Sequence, residues 1–156
     1  MEQAKCLSRL QRLCSKAEYC SADVYRKALK DLEGDAQAAS RVVASLVEDR
    51  FVDDARYAAI YAREKASLQG WGPVKIRFQL RGKGISEADI TAALSQVEPE
   101  KADDRLEKLL AAKYRTLQED PQWKLKLIKF ALSRGYEYEK IATFVARMAG
   151  RSVAEP

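Results

Sequence analysis

Histidine is absent from the 156 residues, and cysteine, proline and glycine number only three, four and seven. Without an imidazole, a general base at neutral pH would have to be a tuned carboxylate, lysine or cysteine. On a helix over residues 4–16, Cys6 and Cys14 would sit about 12 Å apart, which excludes a disulfide. The spacing of Cys6, Cys14 and Cys20 fits no zinc pattern, so buried or idle thiols are expected and no metal or cofactor is implied. No apolar run approaches the roughly 18–20 residues that span a bilayer. The start, MEQAKCLSRLQRL, has neither the basic opening nor the unbroken apolar core of a signal peptide. A cytoplasmic protein without membrane contact is the expectation. Two-residue alternation with β-branched enrichment is also missing, which argues against a sheet.

Charge is plentiful and unevenly placed. Lysine and arginine total 28 against 23 acids, a net +5. Residues 56–84 carry +6, residues 85–104 carry −5, and residues 105–156 return to +5. Basic faces separated by an acidic belt are compatible with a polyanionic partner, although solvated helices also carry such charge.

Apolar spacing predicts helices throughout. The first carries Leu7, Leu10 and Cys14. Ser21 is a candidate cap for the second, which carries Tyr25, Ala28, Leu29 and Leu32 and stops at Gly34. Asp35 can cap the third, with Ala39, Val43, Leu46 and Val47. The pattern then restarts: Asp53 or Asp54 can cap a helix with a stripe of Ala55, Ala58, Ala59, Ala62 and Ala66, suited to close packing. Gly70-Trp71-Gly72 breaks it, and Pro73 opens the next helix, which runs through Ile76 and Leu80 to Gly84. Ser86 then reads as an N-cap with Asp89 three residues on, and Ile85 and Ile90 form a hydrophobic staple. A third round follows Pro99, with Leu106, Leu109, Leu110, Tyr114 and Leu117. Its second helix runs from about Pro121 through Trp123, Leu127, Ile128 and Phe130 to Gly135, and its last carries Ile141, Val145 and Met148 before Gly150. Gly135 follows Gly84 by 51 residues, and at that offset Tyr136–Ile141 repeats the staple, Val145 matches Leu94 and Arg134 matches Lys83. The expected fold is all-α, three tandem three-helix repeats in an elongated, curved molecule. The units span residues 1–53, 54–98 and 99–150, with a tail over 151–156.

No constellation reads as an active site. Asp53-Asp54 and Asp103-Asp104 sit at predicted helix starts, where capping accounts for them. Gly70-Trp71-Gly72 follows a helix and lacks both the third glycine and the Lys-Ser/Thr of a phosphate loop. Tyr57 and Tyr61 share a helical face and could stack on nucleobases, but packing against a neighbouring helix is the expected role. Core anchoring is expected of Trp71 and Trp123. The functional candidates are basic: Lys75, Arg77, Arg81 and Lys83 in the second unit, and Lys124, Lys126, Lys129 and Arg134 in the third. They could line a phosphate backbone or an acidic protein surface, or merely favour helix dipoles from solvent.

The stretch Phe51-Val52-Asp53-Asp54-Ala55-Arg56-Tyr57-Ala58, then Tyr61, Lys65 and Gly70-Trp71-Gly72-Pro73-Val74-Lys75-Ile76, resembles the signature of the RecX family. The likeness continues through Leu80-Arg81-Gly82-Lys83-Gly84-Ile85, Ile90 and Leu94. It resumes at Lys126-Leu127-Ile128-Lys129-Phe130, Ser133-Arg134-Gly135-Tyr136 and Ile141. It covers the chain from about residue 40 onward, and residues 1–39 share only the helical pattern. Ala131-Leu132 shifts the usual leucine by one place, and Tyr136 stands where phenylalanine is common. The resemblance implies tandem three-helix repeats and a non-enzymatic regulator that lodges in the groove of the RecA–DNA filament. There it would inhibit strand exchange and ATP hydrolysis, modulating DNA repair and recombination. The implied partner is the RecA nucleoprotein filament, with weak direct DNA binding through basic faces, and the chain is expected to be a monomer. Asp53, Asp54, Arg56, Tyr57, Tyr61, Gly72, Pro73, Ile76, Leu80, Gly84, Ile85 and Gly135 are read as structural signature positions. Two alternatives stand beside this: a helix-turn-helix-like DNA-binding regulator over residues 73–95, opposed by the acidic 87–95 segment, and a helical scaffold for another protein.

Overall fold

The computed structural model describes residues 1–154, with side chains described for all but 99, 100 and 151–154. Among the described residues there are nine helices and no strand. They are α1 Gln3–Lys16, α2 Ser21–Asp31, α3 Ala36–Glu48, α4 Asp54–Leu68, α5 Pro73–Gly82, α6 Glu87–Ser95, α7 Pro99–Tyr114, α8 Trp123–Ser133 and α9 Tyr138–Ala154. The chain forms two compact units, one of residues 1–61 with 80–92, the other of residues 62–79 with the chain from 93 onward. The division falls inside α4 and α5, so the middle triplet of helices contributes to both units.

In the first unit α1, α2 and α3 pack on one another, closing over fully buried Cys6, Leu10, Val24, Ala28 and Leu46. Burying side chains such as Leu10 and Leu46 contributes about 1.5–3 kcal/mol each. Asp35 caps α3 as its position predicts, its carboxylate accepting from the Ala38 N–H at 3.1 Å. Ser21 does not cap α2. Cys20 holds the cap position without a side-chain capping bond, its thiol donating instead to the Lys83 carbonyl at 3.8 Å, and Ser21, as the first helical residue, is held from α4. Its N–H and hydroxyl donate to the two carboxylate oxygens of Asp54, at 2.7 and 2.6 Å. The neighbouring Asp53 caps α4 itself through the Arg56 N–H at 3.0 Å. The two adjacent aspartates thus do different work, one local and one tertiary.

Arg56 completes this corner. Its guanidinium pairs with Glu18 at 2.9 Å and donates to the carbonyls of Arg50 and Phe51 at 3.2 and 3.3 Å. The alanine stripe of α4 is narrower than its spacing suggests: Ala58, Ala62 and Ala66 are buried, whereas Ala55 is exposed.

The repeated turn is visible residue by residue. Gly84 and Gly135 both have left-handed φ, +77° and +91°. After each, the next N–H reaches back to the fifth residue before it, Ile85 to Leu80 at 3.1 Å and Tyr136 to Ala131 at 3.3 Å. The staple residues Ile85, Ile90, Tyr136 and Ile141 are all buried. Ser86 caps α6 through the Asp89 N–H at 3.2 Å. The first repeat departs because two residues, Glu33 and Gly34, are left-handed there, and it is Gly34 itself that bonds back, to Leu29 at 2.8 Å. Its register is therefore shifted by one residue.

In the second unit α7, α8 and α9 pack together over Leu106, Leu110, Leu127, Ala131, Ile141 and Val145. α8 starts at Trp123, after a turn in which Asp120 accepts from the Gln122 N–H at 2.8 Å. Gly150 does not end α9, which continues to Ala154. A single exposed glycine costs a helix only about 0.5–1 kcal/mol. The expected tail thus begins as helix, and its last two residues lie outside the described ones.

Candidate basic interface

The signature segment Gly70–Lys75 is fixed by the turn between α8 and α9, all within the second unit. Gly72 N–H donates to the Arg134 carbonyl at 2.8 Å, and Val74 N–H to the Gly135 carbonyl at 2.9 Å. The Tyr136 hydroxyl donates to the Gly70 carbonyl at 2.9 Å. The backbones cross so closely that a Cβ on Gly72 would lie 2.4 Å from the Gly135 oxygen. One on Gly135 would lie 2.1 Å from the Cβ of Lys75. Both glycines are needed for close approach, and Gly135 also for its left-handed φ. This crossing joins two sets of basic candidates, because it sets Lys75 against the turn that carries Arg134.

Aromatic rings hold many of these cations. The Lys65 and Lys75 ammonium groups lie 4.9 and 4.3 Å from the centre of the Trp71 ring. Arg134 lies 5.1 Å from the Phe130 ring, which Lys113 also approaches at 4.9 Å. Lys124 sits 5.6 Å from Trp123, whose ring meets Tyr114 edge-on at 4.9 Å. Such contacts spread aliphatic stems over apolar surface while leaving the charge near water. Trp71 and Trp123 are both half-buried, and Trp123 packs against the core of α7, α8 and α9.

Other candidates are engaged by carboxylates. Lys126 pairs with Asp120, whose pKa is held down by that hydrogen bond. In the first unit Arg81 pairs with Glu87. Lys129 is exposed on α8, and Arg77 is half-buried on α5.

Lys83, also in the first unit, is turned onto Tyr57 and Tyr61. Its ammonium lies 5.8 and 6.0 Å from the two ring centres, and the rings stack at 5.9 Å. Burial alone would lower the Lys83 pKa. The hydrogen bond and charge of Tyr57, with Asp23 nearby, outweigh it and leave the pKa raised. Burial pushes the Tyr57 hydroxyl up, and Lys83 offsets part of that shift. The two tyrosines are half-buried and stacked on each other, and Lys83 lies over the pair.

What the sequence reading missed is apolar. Val74 and Phe78, one helical turn apart on α5, are 51% and 71% exposed. These large side chains are left in water on the same helix as Lys75 and Arg77. The available signal was the period of α5: Ile76 and Leu80 define its buried face, which leaves Phe78 on the opposite side. α6, by contrast, carries Glu87 and Asp89 and no lysine or arginine, so it does not suit a recognition helix.

Residues 53–94 match the family described as RecX, second three-helix domain. The regulatory protein RecX of Clostridium tetani is 30% identical over 149 residues, covering 92% of this chain and 67% of that protein. That of Clostridium perfringens is 30% identical over 158 residues, covering 99% and 73%. A solved regulatory protein RecX superimposes with a TM-score of 0.82 at 28% identity, over 91% of this chain and 70% of the other. RecX from Lactobacillus salivarius shares the fold, with a TM-score of 0.83 at 20% identity over 94% and 96% of the two chains. With the helical triplets, the repeated glycine turn and the signature crossing, these likenesses carry one conclusion: the chain belongs to the RecX family of regulatory proteins.

Proposed function

We propose that this protein binds the RecA–DNA filament in the cytoplasm and restrains RecA's recombinase and ATPase activity without chemistry of its own. The observation that carries the reading is the exposed Phe78, with Val74, on the signature helix that also bears Lys75 and Arg77. A filament groove offers both acidic protein surface and nucleic-acid phosphate, and a helix presenting cations around an aromatic anchor suits that mixture. The mechanism is steric and electrostatic. A helical body seated against neighbouring protomers hinders the conformational cycle on which their ATP turnover depends. Lys124, Lys129 and Arg134 extend the basic surface, while Lys126 and Arg81 act only after exchanging their present carboxylate partners.

The test is RecA's single-stranded-DNA-dependent ATPase with added protein. Phe78→Ser removes a solvent-exposed ring and should leave folding unchanged while weakening inhibition about tenfold or more. Neutralising Lys75, Arg77, Arg81 and Lys83 together should weaken inhibition further and flatten its salt dependence. Undiminished inhibition by both variants would overturn the assignment of this face.

A further inference from the structure

Within the second unit lies a small cavity of about 150 Å³, walled by Trp71, Pro73, Ile76, Leu94 and Val97 with Arg105 beside them. Its size is that of a space which admits a single six-membered ring. Tyr136 and Lys140 also line it, but their polar ends are occupied. The Tyr136 hydroxyl donates to the Gly70 carbonyl at 2.9 Å, and the Lys140 ammonium pairs with Asp103 at 2.9 Å. Arg105 differs. Its Nη1 is buried from water and has no hydrogen-bond partner.

Two features therefore meet at one place. The apolar walls offer dispersion contacts to a group packed between them, and a buried guanidinium nitrogen without an acceptor keeps its desolvation cost. A molecule with a compact apolar body and one carboxylate would answer both, because a carboxylate matches the planar fork of arginine. We propose that this cavity binds a small free carboxylic acid with an aryl or branched alkyl body, its carboxylate facing Arg105. With Lys140 already paired to Asp103, the one guanidinium and the apolar walls favour a monoanion over a phosphate ester, whose greater charge would be desolvated without enough counter-charge.

Benzoate and its neutral counterpart benzyl alcohol are the probes, titrated into the full chain and followed by the methyl resonances of Ile76, Leu94 and Val97 and the indole resonance of Trp71. Benzoate should bind saturably with shifts centred on these residues, about tenfold more tightly than the alcohol, as expected for a hydrogen bond to a charged group. Arg105→Gln should abolish that preference while the alcohol still binds. Val97→Phe should exclude both probes and serves as the independent variant if Arg105→Gln fails to fold. Equal affinity for the two probes, or shifts scattered over the basic surface, would overturn the proposal. Binding of a peptide ending in phenylalanine but not of benzoate would move the carboxylate to a protein chain end and overturn the free-acid assignment.

Discussion

Four glycines of the second unit differ in a way that allows its tightest contact to be weighed. Gly70 has a left-handed φ of +68° with open space where a Cβ would go. Gly72 has no such φ, but its Cβ would meet the Gly135 carbonyl oxygen at 2.4 Å. Gly135 combines a φ of +91° with a Cβ position 2.1 Å from Lys75 Cβ. Gly150, inside α9, has open space and no left-handed φ. Substituting each by alanine separates backbone strain from steric exclusion.

Gly70→Ala should cost about 1 kcal/mol, the penalty of a left-handed β-carbon. Gly72→Ala should cost about 2–4 kcal/mol, since backbone cannot yield as a side-chain tip does. Moving it apart weakens the bonds from Gly72 N–H to Arg134 and from Val74 N–H to Gly135, each worth about 1 kcal/mol. Gly135→Ala suffers both effects and should cost about 3–5 kcal/mol. Gly150→Ala should stabilise by about 0.5 kcal/mol through helix propensity. The protein's two tryptophans, Trp71 and Trp123, both belong to the second unit. Urea unfolding followed by their fluorescence therefore reports on that unit alone. The midpoint for Gly135→Ala should fall by about 1.5 M or more, taking a slope of about 1–2 kcal/mol per M. If Gly72→Ala unfolds within about 0.5 kcal/mol of the parent, the crossing is not a fixed contact and the reasoning fails.

Two further outcomes concern the first unit. Asp54→Ala should destabilise it by about 2–3 kcal/mol, because both Ser21 donors lose their acceptor in a part-buried corner. Asp53→Ala should cost only about 1 kcal/mol for a lost cap, and equal effects in circular-dichroism melts would refute the division of labour. The cysteines should alkylate in sequence. Burial raises the thiol pKa of Cys6, Cys14 and Cys20, so at neutral pH the reactive thiolate is scarcer than in an open peptide and reaction should quicken as pH rises. Cys14, half-buried, should be labelled first, and Cys6 and Cys20 only on unfolding. Mass spectrometry showing Cys6 or Cys20 modified before Cys14 would contradict the described packing.

The fold was legible because its signals are local. A cap needs an aspartate and an N–H three residues on, and a staple needs two apolar residues bracketing a turn, so Asp35, Ser86, Ile85–Ile90 and Tyr136–Ile141 could be placed by spacing alone. Ser21 failed for the opposite reason. Its partner is 33 residues away on α4, and a serine before an apolar run looks the same whether it caps its own helix or receives a carboxylate from another. The glycines of Gly70-Trp71-Gly72 read as a helix break, which they are, but not as one side of a backbone crossing completed 63 residues later at Gly135.

The basic candidates show where that limit matters for function. Spacing put Lys75, Arg81, Lys83, Lys126 and Arg134 in one class, yet the fold sorts them by partner. Lys75 and Arg134 lie on aromatic rings, Arg81 and Lys126 face carboxylates, and Lys83 is drawn onto a tyrosine pair. A cation over a ring keeps its charge available to a second anion, because the ring contributes no counter-charge. One paired with a carboxylate must break that pair first, at a net gain of little more than the exchange. The surface charge that a polyanion would feel is therefore smaller than the sequence count and is weighted toward Lys75, Lys124, Lys129 and Arg134. Its apolar complement, Phe78, lies outside any count of charge. That is why the contact face proposed for α5 rests on an aromatic side chain left in water rather than on the lysines and arginines that first drew notice.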